Sequence, residues 1–272
     1  MSKLYVVGTP IGNLSDMSPR AVETLSEVDF IAAEDTRVTL KLLNYFDIKK
    51  PMISYYEHNK RERGEIICER ILSGESCAVV TDAGMPCISD PGEDLIKLCE
   101  QKGIPTVVVP GPSAVVSALA VSGLSTGRFC FEGFLSVNKK SRKEHLEALK
   151  NESRTMIFYE APHKLPTTLK DLYAFFGDRR LSIVREITKI HEEVIRTTTK
   201  HAAEVLADSG IKGEIVLVLE GKASESAEEY TLEQAVKLAQ KLIDEGSKVS
   251  DAAKEAAAAT GFKKNEIYKE LI

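Results

Sequence analysis

Short apolar runs rich in β-branched residues alternate with helical patterns in the first half of the chain. Each run has the length of a strand, and they are LYVV near residue 4, DFIAA near 29, CAVVT at 77–81 and TVVV at 106–109. Between the first two runs, apolar positions of residues 19–28 fall on one helical stripe, with Ser18 as N-cap and Pro19 at the first helical position. This alternation predicts βαβ units.

A second series of strands follows the small-residue stretch PGPSAVVSALAVSGLSTG. The runs are FCFEGF at 129, RTMIFYE at 154, LSIVRE at 181, EEVIRTTT at 192 and GEIVLVLEG at 213. Strands outnumber helices in this half, which favours a mixed sheet. We therefore predict an α/β protein with an N-terminal α/β domain over residues 1–115, a C-terminal α/β domain over 116–222, and a cleft between them.

The last part of the chain, residues 223–272, has the pattern of a linker and a helical tail. The segment KASESAEEY is small and polar, and Thr231 and Gln234 then form the T-x-x-Q pattern of a capping box. Residues 247–272 predict a helix, a turn at GFKKN and a last helix. This end either packs against the second domain or contacts RNA as a helix-turn-helix would, and its balanced charges favour packing.

Composition is that of a globular protein, with 43% hydrophobic and 28% charged residues among 272. No apolar run approaches the roughly 20 residues that cross a bilayer, and the first residues do not resemble a signal peptide, so we expect a cytoplasmic protein. The five cysteines have no metal-ligand spacing, which predicts buried reduced thiols and no metal. A net charge of -5 means that a nucleic acid would need a local basic patch.

Three segments bearing glycine and proline follow predicted strands: VVGTPIGNL at 6–14, DAGMPCISDPG at 82–92 and VVPGPSA at 108–114. Ligand loops of α/β sheets lie at the carboxyl ends of strands, and these small residues would leave room for an adenosine-like ligand. Asp90 or Ser89 is expected to cap the helix that begins at Pro91.

A dinucleotide site is a weaker interpretation of the first loop, although Glu34 would lie where an acidic residue meets a ribose. The loop has the pattern G-x-x-x-G with Pro10 inside it, and the next helix begins only near Pro19. The start of that helix is therefore too far along the chain to face a pyrophosphate. A plain βα turn remains an alternative for this loop taken alone.

In this order the three loops resemble those of the tetrapyrrole (corrin/porphyrin) methylase superfamily. Five further motifs are similar to one branch, the 2'-O-methyltransferases of small-subunit ribosomal RNA: AEDTR at 33–37, YYEHN at 55–59, FEGFL at 131–135, YEAPHK at 159–164 and REITK at 185–189. The resemblance covers the whole chain, with Ala161 and Lys164 where serine and arginine are common. It implies two α/β domains of this type with a cleft between them, plus a small C-terminal helical appendage.

The same resemblance implies a function. The methyl group of S-adenosylmethionine would go to the 2'-hydroxyl of a cytidine in the decoding centre of 16S rRNA, without a metal and by a homodimer, within the 30S subunit or a late assembly intermediate. The cofactor would lie in the cleft, against Pro10, Ile11, Gly84, Met85, Ile88, Ser89, Ser113, Ala114, Tyr159, Glu214 and Ile215, with Gly213 beside them. Alternatives are a tetrapyrrole or protein substrate on the same fold, or a non-catalytic ribosome-assembly factor.

Methyl transfer is an in-line displacement, so positioning of the ribose oxygen supplies most of the catalysis and a general base adds to it. The candidate bases are Glu34, Asp35, Glu160, Glu186 and His163, of which we favour Glu34 and Asp35. Arg37 is predicted to belong to the same catalytic group. The alternative is structural: Asp35 caps the following helix while Arg37 pairs with Glu34. We assign no role to His58 and His191.

Two basic stretches, NKKSRK at 138–143 and NKRER at 59–63, are the densest in the chain. Both lie where a loop is predicted to become a helix, so they suit contacts to RNA phosphates. The predicted contacts are Lys139, Lys140, Arg142, Lys143, Lys60 and Arg61. A solvated helix start is the alternative for either stretch alone.

Overall fold

The structure is a computed structural model that describes residues 2–90, 92–207, 209–223 and 231–272. The chain forms two compact units, Met1–Gly221 and Lys222–Ile272. In the described ranges no helix is both long and apolar enough to span a membrane. The predicted helix start at Pro91 and most of the predicted linker lie outside these ranges.

The first sheet of the larger unit is parallel and has the strand order β3-β2-β4-β1-β5. Its strands are β1 (Leu4–Val7), β2 (Phe30–Ala33), β3 (Met52–Ser54), β4 (Cys77–Val80) and β5 (Thr106–Val109). The connecting helices are α1 (Pro19–Glu27), α2 (Thr36–Tyr45), α3 (Lys60–Leu72) and α4 (Gly92–Gln101). Because helices cover both faces, β2 and β4 are buried at every position.

The predicted βαβ units are confirmed, and the four predicted strands agree with the structure to within one residue. Helix α1 begins as expected, because the Ser18 hydroxyl accepts a hydrogen bond from the Ala21 amide at 3.1 Å. Strand β3 was not predicted. This strand has three residues, follows Pro51 and lies at the edge of the sheet, where it is only half-buried.

The second sheet is mixed, as expected, with the order β6-β7-β10-β8-β9. Its strands are β6 (Phe129–Phe134), β7 (Thr155–Glu160), β8 (Arg180–Arg185), β9 (Glu193–Thr198) and β10 (Ile215–Leu219). Strands β6 and β7 are parallel, whereas β10 is antiparallel to both β7 and β8. The helices of this half are α5 (Ala114–Ser122), α6 (Lys139–Ala148), α7 (Leu165–Phe176) and the short α8 (Thr199–His201).

Apolar side chains on each face of the second sheet have a helical partner. Val115 and Leu119 of α5 pack with Val216 and Val218 of β10 on one face. The opposite face is covered by α6 and α7 through a larger cluster that includes Leu169. Because both sheets belong to one compact unit, the division of this unit into domains at residue 115 stays a prediction.

The smaller unit is a three-helix tail formed by α9 (Leu232–Asp244), α10 (Val249–Thr260) and α11 (Lys264–Glu270). The predicted capping box is confirmed, since Thr231 and Gln234 exchange side-chain to backbone hydrogen bonds. The predicted turn begins at Gly261, whose φ of 78° ends α10. Small residues let the helices approach and bury Ile267. The packing of this tail against the second domain, or its contact with RNA, stays a prediction.

The five cysteines carry free thiols, but they do not share one environment. Cys68, Cys77 and Cys99 are buried, as expected. Cys87 and Cys130 are only partly buried, so the expectation of five buried thiols is wrong for these two. Burial nonetheless raises the pKa of the Cys87 thiol to about 12, which keeps it protonated at neutral pH.

Candidate functional site

The three glycine-bearing loops contact one another at the carboxyl edge of the first sheet. The Thr9 amide donates to the Gly84 carbonyl at 2.9 Å, and the Gly84 amide donates back to the Thr9 carbonyl at 3.1 Å. The Gly111 amide lies 3.2 Å from the sulfur of Met85. The loops that follow β1, β4 and β5 therefore form one continuous surface.

Glycine is required where the first and third loops cross. A Cβ added to Gly8 would lie 2.7 Å from the Gly111 Cα, and one added to Gly111 would lie 2.8 Å from the Gly8 Cα. Both neighbours are backbone atoms, so neither can rotate away. Glycine is required at position 84 for a different reason, because its φ of 87° is a backbone conformation that residues with a Cβ disfavour.

A cavity of about 420 Å³ opens between these loops and the ends of strands β6, β7 and β10. This volume lies within the range of small-molecule sites, roughly 300–1,000 Å³. Its apolar walls come from both sheets, with Ile11, Met85 and Ile88 on one side and Phe134 and Tyr159 on the other. The predicted cleft between the two halves therefore exists.

Most of the predicted cofactor residues line this cavity, namely Ile11, Gly84, Met85, Ile88, Ser89, Ser113, Ala114, Tyr159, Glu214 and Ile215. Pro10 does not line it and is buried in the turn. Several other lining residues were not predicted, namely Thr81, Phe134, Ala161, Pro162, Ile187 and Val216. Four of these belong to the motifs FEGFL, YEAPHK and REITK, so a signal for them was present.

Two aromatic rings, those of Phe134 and Tyr159, form part of the cavity wall that the second sheet supplies. The Tyr159 ring meets Phe134 at a centroid distance of 5.5 Å and Phe131 edge-on at 4.9 Å. Burial raises the pKa of the Tyr159 hydroxyl. Residue Phe134 is 57% exposed. These rings offer an apolar, partly open surface suited to a flat heterocycle.

Of the predicted catalytic residues, Glu34 and Glu160 line the cavity, whereas Asp35 and Arg37 do not. Glu34 accepts hydrogen bonds from the Thr81 hydroxyl and from the Asp82 amide. Asp82 in turn accepts from the Asp35 amide at 3.1 Å. Burial, followed by the Glu34 charge, raises the pKa of Asp82. Hydrogen bonds thus link Glu34, which lines the cavity, to Asp82 and through Asp82 to Asp35.

Asp35 and Arg37 have the structural role that we gave as the alternative, with one correction. Asp35 caps α2 by accepting from the Arg37 amide at 2.8 Å. The predicted pair between Arg37 and Glu34 is wrong, because the guanidinium instead contacts the Asp35 carboxylate at 2.6 Å. Its hydrogen bonds lower the pKa of Asp35 to about 2, which makes Asp35 a weak base.

Glu160 is buried and both of its carboxylate oxygens are occupied. One accepts from the Ala161 amide at 2.8 Å and the other from the Thr168 hydroxyl. Thr168 also accepts from Arg142 Nη2 at 2.8 Å, and Arg142 Nε donates to Asp171 at 2.6 Å. Glu160 therefore holds the end of β7 in place. Arg142, with a side chain only 12% exposed, is wrongly predicted as a phosphate contact.

The remaining predicted RNA contacts are of two kinds, one paired with carboxylates and four exposed. Lys60 pairs with Glu57 at 2.8 Å and with Asp94 at 2.7 Å, so it joins α3 to α4 and is not a free cation. Lys139, Lys140, Lys143 and Arg61 are exposed. These four stay candidates for phosphate contact.

The other candidate bases and the predicted helix cap also have defined places. Glu186 accepts from the Glu214 amide at 2.8 Å and from Lys189 at 3.0 Å, and these bonds lower its pKa. His163 is exposed, and neither Glu186 nor His163 lines the cavity.

Asp90 accepts a hydrogen bond from the Gly92 amide at 2.7 Å at the start of α4. Of the two residues predicted to cap this helix, Asp90 and not Ser89 makes the bond.

Residues 3–203 match the family described as Tetrapyrrole (Corrin/Porphyrin) Methylases. The chain belongs to the tetrapyrrole methylase family. Among relatives of this methylase, the Ribosomal RNA small subunit methyltransferase I of Synechocystis sp. is 44% identical, over 99% of this chain and 97% of that protein. The protein of the same name from Thermotoga maritima is 48% identical, over 82% of this chain and 100% of that protein.

Solved structures share the fold of this methylase at low identity. The methyltransferase CobJ superposes with a TM-score of 0.60 at 17% identity, covering 82% of this chain and 95% of that one. Uroporphyrin-III C-methyl transferase from Thermus thermophilus, complexed with S-adenyl homocysteine, superposes with a TM-score of 0.57 at 16% identity, covering 80% of this chain and 97% of that one.

In the described part of the methylase, no group of three or more His, Cys, Asp or Glu side chains could hold a metal ion.

Proposed function

We propose that this methylase transfers the methyl group of S-adenosylmethionine to the ribose 2'-hydroxyl of a cytidine in the decoding centre of 16S rRNA. The observation that carries the proposal is the convergence of three glycine-bearing loops on a cavity that the second sheet completes. The two named relatives support the class of substrate, because each covers more than four-fifths of the chain at 44% identity or more.

The residues of the cavity fit the cofactor. The rings of Phe134 and Tyr159 suit adenine, and the small residues Ser113 and Ala114 leave space for a ribose. The carboxylates of Glu34 and Asp90 favour a positive charge nearby, which a sulfonium carries. When bound, S-adenosylmethionine supplies an activated methyl group on that sulfonium.

Glu34 is the carboxylate that we propose as general base. It lines the cavity, and Thr81 and Asp82 hold one of its oxygens, which orients the side chain. Glu34 would take the proton of the ribose hydroxyl as the oxygen becomes a nucleophile, a contribution worth about 10²–10⁴ in rate. The loops around the cavity would hold the two reactants in line, and this positioning would contribute more to the rate than the base.

For the RNA, we propose that Lys139, Lys140, Lys143 and Arg61 contact phosphates, since they are exposed in a chain whose net charge is -5. The substrate would be the 30S subunit or a late assembly intermediate, met in the cytoplasm by a homodimer. Structured RNA is recognised by shape and by splayed nucleotides, which suits a cavity between the two sheets.

Mass spectrometry of 16S rRNA tests the proposal. The purified methylase is incubated with labelled S-adenosylmethionine and either 30S subunits or a porphyrinogen, and the products are digested and analysed. We expect one methyl group on the ribose of one cytidine, and label in the subunit only. Label in the porphyrinogen would contradict the substrate, whereas failure to bind S-adenosylmethionine would favour a non-catalytic assembly factor.

A further inference from the structure

The segment YYEHN, residues 55–59, lies at the same edge of the first sheet as the cofactor cavity without lining that cavity. It follows β3, the edge strand that pairs with β2. The Tyr55 amide donates to the Ala33 carbonyl at 2.8 Å, and neighbouring strands lie about 4.8 Å apart. The segment therefore begins directly beside Glu34, the residue through which the end of β2 lines the cavity.

The backbone of this segment is fixed by contacts of its own residues. Tyr55 is buried in the core cluster of the first sheet, with 2% of its surface exposed. The Asn59 side chain accepts from the Tyr56 amide at 2.8 Å and donates to the Ser54 carbonyl at 3.1 Å. These bonds close the loop on the end of β3, so the residues between them are held in one conformation.

The two rings at the outer side of the loop are accessible. Tyr56 is 41% exposed and His58 is also exposed. Their ring centroids lie 6.2 Å apart with the ring planes at 87°, so each ring limits the rotation of the other. Unpaired RNA bases stack on exposed aromatic rings, and a ring that is already fixed loses little conformational freedom when a base binds.

A cation lies a few residues beyond these rings. Arg61 is exposed in the first turn of α3, which begins at Lys60. Lys60 pairs with Glu57 at 2.8 Å, and this ion pair neutralises the one acidic side chain of the segment. A flat ring followed closely by an exposed guanidinium suits the base and the phosphate of one nucleotide.

We propose that Tyr56 stacks on the base of a nucleotide next to the target cytidine in the RNA chain, and that Arg61 contacts a phosphate of that nucleotide. This inference rests on the proposed function, which brings the target ribose to Glu34. An enzyme that acts on a nucleotide within folded RNA takes it out of the stack, so the neighbouring base loses a stacking partner. The Tyr56 ring replaces that partner. Because any base can stack on a ring, Tyr56 contributes affinity and not sequence choice.

The test measures binding of the full chain to 30S subunits at several salt concentrations, with S-adenosylhomocysteine present. Tyr56→Ala should lower the affinity by about 5- to 150-fold, the range that corresponds to the loss of one stacked base. The salt slope should stay that of wild type because the ring is uncharged, whereas Arg61→Gln should lower the slope by about one. Tyr56→Phe keeps the ring and should restore the affinity. In methylation assays, the loss in Tyr56→Ala should raise KM for the subunit and leave kcat nearly unchanged.

The matched control is Tyr45→Ala. Tyr45 is also an exposed ring that meets a second ring edge-on, that of Phe46 at 4.9 Å. It is the last residue of α2, which runs from the end of β2 back toward the start of β3, so it lies at the opposite edge of the sheet. We expect wild-type affinity for the 30S subunit in this variant.

A cross-link identifies the partner even where Tyr56→Ala is misfolded by thermal denaturation. With p-benzoylphenylalanine placed at position 56, irradiation should join the chain to 16S rRNA beside the methylated cytidine, and the same group at position 45 should not. A cross-link to a ribosomal protein overturns the inference. Wild-type affinity in Tyr56→Ala, or a loss that Tyr56→Phe does not restore, also overturns it while methylation by the wild type leaves the proposed function standing. A wild-type chain that does not methylate the subunit overturns the proposed function as well.

Discussion

The close crossing of Gly8 and Gly111 makes Gly111→Ala a sharp test of how the loops form the cofactor cavity. The added methyl group would lie 2.8 Å from the Gly8 Cα and carbonyl carbon and 2.9 Å from its oxygen. Backbone atoms cannot rotate away, so the two loops must separate. Overpacking of this kind costs about 1–3 kcal/mol, which lowers the midpoint of thermal unfolding by about 2–4 °C for each kcal/mol in a protein of this size.

Separation of the loops also moves Ile11 and Ser113, which line the cofactor cavity from the two sides of the crossing. We expect the affinity for S-adenosylhomocysteine, measured by calorimetry, to fall by about tenfold or more, since each 1.4 kcal/mol lost is a factor of ten. Gly127→Ala is the matched control, because nothing lies within 4 Å of a Cβ there and its φ is unstrained. Wild-type stability and affinity in Gly111→Ala would refute this reasoning.

Three further predictions concern single contacts. Thr168→Val deprives the buried Glu160 carboxylate of a hydrogen bond, so the free energy of unfolding should fall by about 1–3 kcal/mol in denaturant titration, and an unchanged midpoint would contradict this. Arg37→Ala should raise the pKa of Asp35 from about 2 toward its usual value of 3.8, as followed by NMR. Because the folded pKa is depressed, the stability linked to Asp35 is present above pH 3.8 and is lost as pH falls toward 2, a loss that Arg37→Ala should reduce. Lys139→Gln and Lys143→Gln should each lower the salt slope of RNA binding by about one, and an unchanged slope would exclude phosphate contact.

The sequence predicted best what depends on local pattern. Parallel strands read as continuous apolar runs, and glycine with proline after such runs indicates loops at one edge of the sheet, so a pocket at the strand ends followed from CAVVT, DAGMPCISDPG and VVPGPSA. The lining residues of the second sheet, such as Tyr159 and Ile215, came from the family resemblance and not from the pattern. The short edge strand at Met52–Ser54 escaped because three half-buried residues carry no periodicity. Residues 8 and 111 must be glycine because their loops cross, and this contact between distant positions leaves no pattern in the sequence.

The partner of a charged side chain was the least predictable feature. Arg37 had two acidic neighbours in sequence, Glu34 and Asp35, and only the geometry of the α2 start shows that Asp35 is within reach. Arg142 and Lys60 lie in basic stretches, yet each meets a carboxylate on another helix that sequence spacing does not reveal. Basic runs in a sequence therefore overstate the surface available to RNA.

A crystal structure of the chain with S-adenosylhomocysteine tests most directly whether the crossed loops and the second sheet together form the cofactor site. We expect density for the ligand in the cavity between the two sheets, with the adenine against Phe134 and Tyr159 and the thioether sulfur near Ile11. Ligand density outside this cavity, or a crystal that stays empty at saturating ligand, would contradict this assignment.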